Sequence, residues 1–293
     1  MGTPISEVEI NISLVRSLLE EQCPDLAHLP ISMVDAGWDN AIFRLGDRLC
    51  IRLPRRQVGA VLIEHEQTWL PRIASHLTLA VPTPCRIGKP GQRYPWKWSI
   101  LPWLAGVSAD QQEPDEEQAK SFALFLRSLH IPAPPDAPKN PVRGVPLYQR
   151  ATTIEERMQR LEVKTNLITR EIKNIWNQAL QTPIDVFPTW LHGDLHPRNI
   201  LVENGSITGI IDWGDITSGD IATDLASIWM LFPSRTAREQ VIAEYGNISQ
   251  ATLQRALGWA IVFGVLLLDT GLVDNPRHAL MGKKIFPRLA LHG

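Results

Sequence analysis

Three side chains with hard oxygen donors stand close together in the second half of the chain. Asp194 and Asn199 lie in Trp190-Leu191-His192-Gly193-Asp194-Leu195-His196-Pro197-Arg198-Asn199, and Asp212 lies in Ile210-Ile211-Asp212-Trp213-Gly214. Moving a phosphoryl group onto a hydroxyl makes two demands. A carboxylate must take the proton of the attacking hydroxyl, and hard oxygen ligands must hold the Mg²⁺ that neutralises charge between phosphates. Asp194 can meet the first demand; the Asn199 amide oxygen and the Asp212 carboxylate can meet the second. Asp and Asn are common turn residues, so each alone says little. Their order and spacing carry the signal.

Something must hold these residues in place. Ile200 to Val202 and Ile207 to Ile211 read as short strands, with a turn at Glu203-Asn204-Gly205-Ser206. A hairpin there sets Asn199 and Asp212 side by side. A second constellation lies upstream. The helical stripe over 58–77 runs through Leu62, Ile63, Trp69, Leu70, Ile73 and Leu77, and Glu66 falls on the same inward face. A carboxylate buried there needs a cation. Arg52, on the strand Leu49 to Leu53, is the nearest upstream candidate.

The wider pattern divides the chain. A helical stripe covers 6–21, followed by β-like runs at 31–34, 41–45, 49–53, 85–88 and 98–101. The helix over 58–77 interrupts them. Residues 1–101 therefore read as a small, mostly antiparallel sheet with a central helix, and 102–106 as a connector. From 107 to 293 the chain reads as mainly helical, with helices over 115–130, 147–181 and from 221 onward, broken by short strands in 190–219. The stretch Pro132 to Pro146 holds six prolines and reads as a loop.

His192-x-Asp194-x-x-x-x-Asn199 and Ile211-Asp212-Trp213-Gly214 resemble the catalytic and metal-binding loops of the protein-kinase-like superfamily. The form His-Gly-Asp-Leu-His-Pro-x-Asn with Ile-Asp-Trp-Gly is similar to that of the aminoglycoside phosphotransferase family and its small-molecule kinase relatives. The stretch Gly219 to Ala226 resembles the segment in which that family braces its catalytic loop with an Asp. The resemblance implies an α+β, two-lobe kinase-like fold, with a nucleotide-binding lobe over 1–101, a hinge over 102–106 and a catalytic lobe over 107–293. It implies Asp194 as catalytic base, Asn199 and Asp212 as Mg²⁺ ligands, and His192 as a residue that holds the loop. Arg52 takes the place of the strand cation that touches the α- and β-phosphates, and Glu66 that of its helix partner. Protein kinases use Lys there; Arg52-Leu53-Pro54-Arg55 resembles the macrolide-kinase branches, and arginine can still grip phosphate. The phosphate-covering turn falls around Gly37, without a GxGxxG pattern. The purine would meet the backbone of Trp103 or Leu104, since Pro102 has no amide hydrogen. ATP or GTP is the implied co-substrate.

Bulk properties bound the partners. A formal net charge of −2 gives no global attraction to nucleic acid or anionic membrane. Cys23, Cys50 and Cys85 are too scattered for a zinc site or a disulfide framework. No basic, apolar leader stands at the first residues, and Trp259 to Leu268 reads as a buried helix segment too short to span a bilayer. A cytoplasmic protein is expected. Residues 230–293 hold seven Lys/Arg against four Asp/Glu, which disfavours a polycationic acceptor, while Asp215 and Asp220 favour one. Trp229, Met230, Phe232, Trp259 and Phe263 either line an apolar pocket or form core. Three functions fit: an antibiotic kinase of the aminoglycoside or macrolide type; a metabolic kinase acting on an amino alcohol such as choline, a sugar or homoserine; or a nucleotide-binding pseudokinase. The acceptor and the oligomeric state are left open.

Overall fold

The computed structural model describes residues 4–290; residues 1–3 and 291–293, at the outer ends of the two expected lobes, lie outside the described residues. The chain opens with α1 (Ile12–Gln22), β1 (Ile31–Ala36), β2 (Asn40–Leu45), β3 (Leu49–Pro54), α2 (Gln57–Ile73), β4 (Arg86–Gly88) and β5 (Trp98–Pro102). The strands form one antiparallel sheet in the order β1-β2-β3-β5-β4. Helix α1 starts later than the stripe over 6–21 predicts. Asn11 sets the start: its side chain accepts a hydrogen bond from the Leu14 amide at 2.9 Å, an N-cap.

Strand alternation decides which residues meet the site. Phe43, Leu45, Ile51, Leu53, Trp98 and Ile100 pack with Val15, Leu18 and Leu19 of α1 in one apolar cluster. Arg52, between Ile51 and Leu53, must point to the other face. There α2 lies across the sheet and buries Ala60, Ile63, Glu66, Gln67, Leu70 and Ile73.

Past Pro102 the chain enters the helical part. It contains β6 (Val107–Ser108), α3 (Gln118–Leu129), a 3₁₀ turn at Leu147–Arg150, α4 (Ala151–Lys164), α5 (Arg170–Gln181) and β7 (Thr189–Leu191). Then follow β8 (Ile200–Glu203), β9 (Ser206–Ile210), β10 (Thr217–Gly219), α6 (Ala222–Leu225), α7 (Ser227–Leu231), α8 (Arg235–Tyr245), α9 (Gln250–Asp274) and α10 (Pro276–Ala290). Strands β6, β8 and β9 make a small sheet, and β7 pairs with β10. The helix expected over 147–181 is two helices, because Thr169 caps a new start at Arg170. A second, larger apolar cluster fills this part. The architecture is thus α+β and two-lobed, with a β-rich N-terminal part and a helical C-terminal part.

Helix α9 is longer than the apolar core 259–268 suggests. Its 25 residues are long and apolar enough to cross a membrane by length and composition, but 78 % of its apolar window is buried inside the protein. It packs against α4, α5, α6 and α10 as the central helix of this lobe.

Candidate active site

The loop between β7 and β8 is held by one buried carboxylate. Asp224 Oδ2 accepts from the His192 amide at 2.7 Å and Oδ1 from the Gly193 amide at 2.9 Å. The His192 ring then ties this loop to the next. Its Nδ1 accepts from the Asp194 amide at 3.2 Å, and Nε2 lies 3.0 Å from the Ile211 carbonyl. That pair of contacts assigns the neutral tautomer with hydrogen on Nε2. Burial also lowers the His192 pKa, which favours the neutral ring. Gly193 has φ +84°, and a Cβ there would sit 2.6 Å from the Asp215 carbonyl oxygen, so the turn requires glycine.

The hairpin does what its sequence predicts. Asn204 and Gly205 both have positive φ, 50° and 78°, as a two-residue turn demands. Ile200 pairs with Ile210, and the Ile211 amide donates to the Asn199 carbonyl at 2.9 Å. Asn199 and Asp212 therefore leave the same end of the hairpin. Asn199 Nδ2 donates to the Asp194 carbonyl at 2.9 Å, which turns its amide oxygen away from that bond. Asp212 has φ +63°, uncommon for a non-glycine residue. Its side chain is 50 % exposed. An amide oxygen beside a half-exposed carboxylate suits Mg²⁺, which takes one or two protein oxygens and completes its shell with phosphates and water. Among the described residues no cluster of three His, Cys, Asp or Glu side chains competes as a metal site.

Arg52 and Glu66 do meet. Arg52 Nη1 donates to Glu66 Oε2 at 2.6 Å, and Nη2 donates to Asp212 Oδ1. The Asn40 amide, assigned with its oxygen toward Arg52, accepts from Nη2 at 3.0 Å and Nε at 3.1 Å. Glu66 is fully buried and also accepts from the Trp213 amide at 3.0 Å. Burial pushes its carboxyl above the ordinary range, although Arg52 pulls the other way. One carboxylate thus links the sheet, α2 and the turn that follows Asp212.

The remaining expected residues are placed less directly. Gly37 lies in the β1–β2 turn with its amide donating to the Asn40 carbonyl at 2.9 Å. A Cβ added at Gly37 would make only ordinary contact, 3.7 Å from Asn40 O, so nothing there demands glycine. The Trp103 amide donates to the Arg48 carbonyl at 2.8 Å, and its ring lies under the Arg44 guanidinium, 4.1 Å from centroid to Cζ. Of the two expected hinge residues, Trp103 thus has its amide already engaged by the main chain.

Comparison with known proteins decides the family. The profile of the phosphotransferase enzyme family matches residues 31–259, well over half of the chain. The chain belongs to that family. Among solved structures, the GDP complex of wild-type aminoglycoside 2'-phosphotransferase-IIIa is similar with a TM-score of 0.69 at 18 % identity, covering 97 % of this chain and 100 % of that one. The apoenzyme of a macrolide 2'-phosphotransferase from Brachybacterium faecium aligns with a TM-score of 0.59 at 18 % identity, over 94 % of this chain and 98 % of that one. At such identity these likenesses speak for the fold. An uncharacterized protein, YcbJ of Bacillus subtilis (strain 168), is 30 % identical over 135 residues, which is 44 % of this chain and 43 % of that protein. The match therefore spans less than half the length of that curated relative.

Within this phosphotransferase, the structure adds neighbours that sequence reasoning missed. Arg143, from the proline-rich loop, donates through Nη2 to Asp194 Oδ1 at 2.8 Å, and His196 Nε2 lies 3.3 Å from Asp194 Oδ2. Burial alone would raise the Asp194 carboxyl, but His196 and Arg143 outweigh it and hold the group well below the usual carboxylate range. Asp215 goes the other way: burial and the Asp194 charge push it up to about 6, although Asn140 Nδ2 donates to it at 2.7 Å. Only the motif position of His196 could have flagged it. Arg143 carries no local signal at all.

A pH prediction follows from Asp215. The folded chain holds its proton more tightly than the unfolded chain, so its contribution to stability grows as pH falls through about 6 toward its ordinary 3.8 and is smallest above 6. Asp215→Asn removes the buried charge. The variant should melt higher than the parent at about pH 7, and the difference should vanish near pH 4 in thermal melts across that range.

The aromatic residues that either line a pocket or form core are core. Trp229, Phe232, Trp259 and Phe263 are at most 2 % exposed, and Met230 is 4 % exposed. Met230 alone among them lines a cavity of about 280 Å³ beside Pro197 of the β7–β8 loop, with Ala109, Asp110, Glu113 and Met281. Its charges are matched internally: Arg277 pairs with Asp110 at 2.8 Å, and Lys284 with Glu113 at 3.0 Å.

Proposed function

We propose that this chain is a magnesium-dependent kinase that moves the γ-phosphoryl group of ATP or GTP onto a hydroxyl of a small molecule. The observation that carries this reading is the joining of Asn199 to the Asp212 strand end, with Asn199 also bonded to the Asp194 carbonyl. Residues up to 101 form the nucleotide lobe, 102–106 the hinge, with the Leu104 amide facing the purine, and the rest the catalytic lobe. The protein acts in the cytoplasm.

In this reading Asp194 orients the acceptor hydroxyl. As the oxygen bonds to the γ-phosphorus, the bond to the β-phosphate oxygen breaks, and the hydroxyl proton passes to the Asp194 carboxylate. Arg143 and His196 hold the Asp194 carboxyl in its ionised form, the form that can accept the proton. Asn199 and Asp212 would hold Mg²⁺. When bound, it neutralises charge on the β- and γ-phosphates. Arg52 exchanges its contact with Asp212 for phosphate oxygens while Glu66 keeps the guanidinium in place.

The test is a nucleotide-binding and product-release assay, with and without Mg²⁺, against hydroxyl acceptors of several classes. Aminoglycosides and macrolides belong in the set because they are the acceptor classes named for the structural neighbours. The reading expects nucleotide affinity that falls sharply on chelation, and turnover of at least one acceptor. Metal-independent binding, or none, would count against it.

A further inference from the structure

The proline-rich stretch 132–146 is tied along one side of the site. The Pro138 carbonyl accepts from the Ser218 amide at 3.0 Å and from Thr217 Oγ1 at 2.9 Å. The Asn140 amide donates to Thr217 Oγ1 at 2.9 Å, and Asn140 Nδ2 donates to Asp215 Oδ1 at 2.7 Å. The Gly144 carbonyl accepts from the Asp220 amide at 3.0 Å, and the Gly144 amide donates to Thr223 Oγ1 at 3.1 Å. All these partners lie between 215 and 223, just past the Asp212 turn. Gly144 has φ +66°, and a Cβ there would sit 2.8 Å from Leu191 Cδ1 and 3.0 Å from Gly219 Cα. The strap therefore lies against β7 and β10 too closely for a side chain at that point.

Between Asn140 and Gly144 the strap brings one side chain to Asp194. Arg143 Nη2 donates to Asp194 Oδ1 at 2.8 Å, and its guanidinium carbon lies 5.0 Å from the ring centroid of Phe263 on α9. Asp215 and Asp224 are engaged elsewhere, by Asn140 and by the His192 and Gly193 amides, so Asp194 is the carboxylate that takes this bond. The main chain of Asp194 is held through its amide and its carbonyl. Neither bond fixes the carboxylate, which can turn over a broad range about χ2. A base must present a lone pair within hydrogen-bond reach of the proton it takes. We propose that Arg143 is a positioning residue: the strap holds its guanidinium so that the Asp194 carboxylate keeps one plane, with a lone pair aimed at the acceptor hydroxyl. The hydroxyl O–H bond breaks as the Asp194 O–H bond forms, and Arg143 keeps its own protons. This inference rests on the reading of Asp194 as the base.

The experiment uses the full chain with Mg²⁺-ATP and an acceptor that it turns over. Arg143→Gln should lower kcat about 10²-fold, the cost of a misplaced reacting group, while nucleotide affinity stays within about twofold. Arg143→Lys should fall between this variant and the parent, because an ammonium on a flexible stem keeps the charge but holds the carboxylate less firmly. Guanidinium ion, added to Arg143→Ala at a low, non-denaturing concentration, should raise kcat, and an equal concentration of ammonium should raise it less. A purely structural role for Arg143 would show neither the recovery by lysine nor the rescue by guanidinium. A kcat within about twofold of the parent in Arg143→Gln, a loss carried wholly by the nucleotide KM, or a loss that neither lysine nor guanidinium recovers would overturn the proposal. If Arg143→Gln does not fold, Arg143→Lys carries the test, and a kcat equal to the parent's overturns it. Asp194→Asn is measured beside these variants. Retained turnover there overturns the reading of the base itself, whereas its loss together with full activity in Arg143→Gln overturns this inference alone.

Discussion

Replacing Asp194 with Asn lowers turnover by about 10²–10⁴-fold and leaves nucleotide affinity within about twofold. Asparagine keeps an oxygen near Arg143 and near the acceptor hydroxyl but cannot take the proton. The loss therefore appears in kcat, with little change in the nucleotide KM. In the proposed reading the nucleotide is gripped by other residues, chiefly Arg52, Asn199 and Asp212, none of which contacts the Asp194 carboxylate. Steady-state kinetics with an active acceptor, together with a direct binding titration of Mg²⁺-nucleotide, check both halves. Retained turnover would remove Asp194 from the chemistry.

The second large effect is on stability. Glu66→Ala leaves Arg52 without its 2.6 Å partner and the Trp213 amide without its 3.0 Å acceptor. Arg52 keeps Asp212 and Asn40, so its charge is not wholly stranded. Removing one partner of a buried pair costs about 3–5 kcal/mol; with those remaining contacts we place the loss near about 3 kcal/mol. For a chain of this size that lowers the melting temperature by roughly 6–12 °C. Glu66→Gln keeps an acceptor for the Trp213 amide and should recover part of the loss. Differential scanning calorimetry of both variants measures this, and an unchanged melting temperature for Glu66→Ala would contradict the role given to the ion pair. Activity should fall as well, because α2 and the Asp212 turn meet through this carboxylate.

What could be read in the sequence depended on how locally each feature is encoded. The Asn204-Gly205 turn announces a hairpin by residue type alone, and the hairpin fixes the relation of Asn199 to Asp212. Glu66 reveals itself as a charge on an apolar stripe, and strand alternation turns Arg52 toward it. Arg143 was illegible for the opposite reason. It sits in a loop without periodicity, and its partner Asp194 is 51 residues away in sequence. The start of α1 differs because the apolar spacing extends back to Val8, N-terminal to the point where the Asn11 side chain caps and begins the helix. Gly37 is expected at the phosphate-covering turn from its position and the resemblance; its turn has no need of glycine, and its amide is engaged within the hairpin. The Trp103 amide was similarly open in sequence but is engaged with Arg48 once β3 and β5 pair.

The central claim is that the oxygens of Asn199 and Asp212 bind one divalent cation beside Asp194. A structure determined with Mg²⁺ and a non-hydrolysable nucleotide tests it most directly. The account predicts one cation with the Asn199 amide oxygen and an Asp212 carboxylate oxygen each about 2.0–2.1 Å away, bridged to the nucleotide phosphates, and Arg52 released from Asp212. A cation held by other residues, or a bound nucleotide with Asn199 and Asp212 both left uncoordinated, would contradict it.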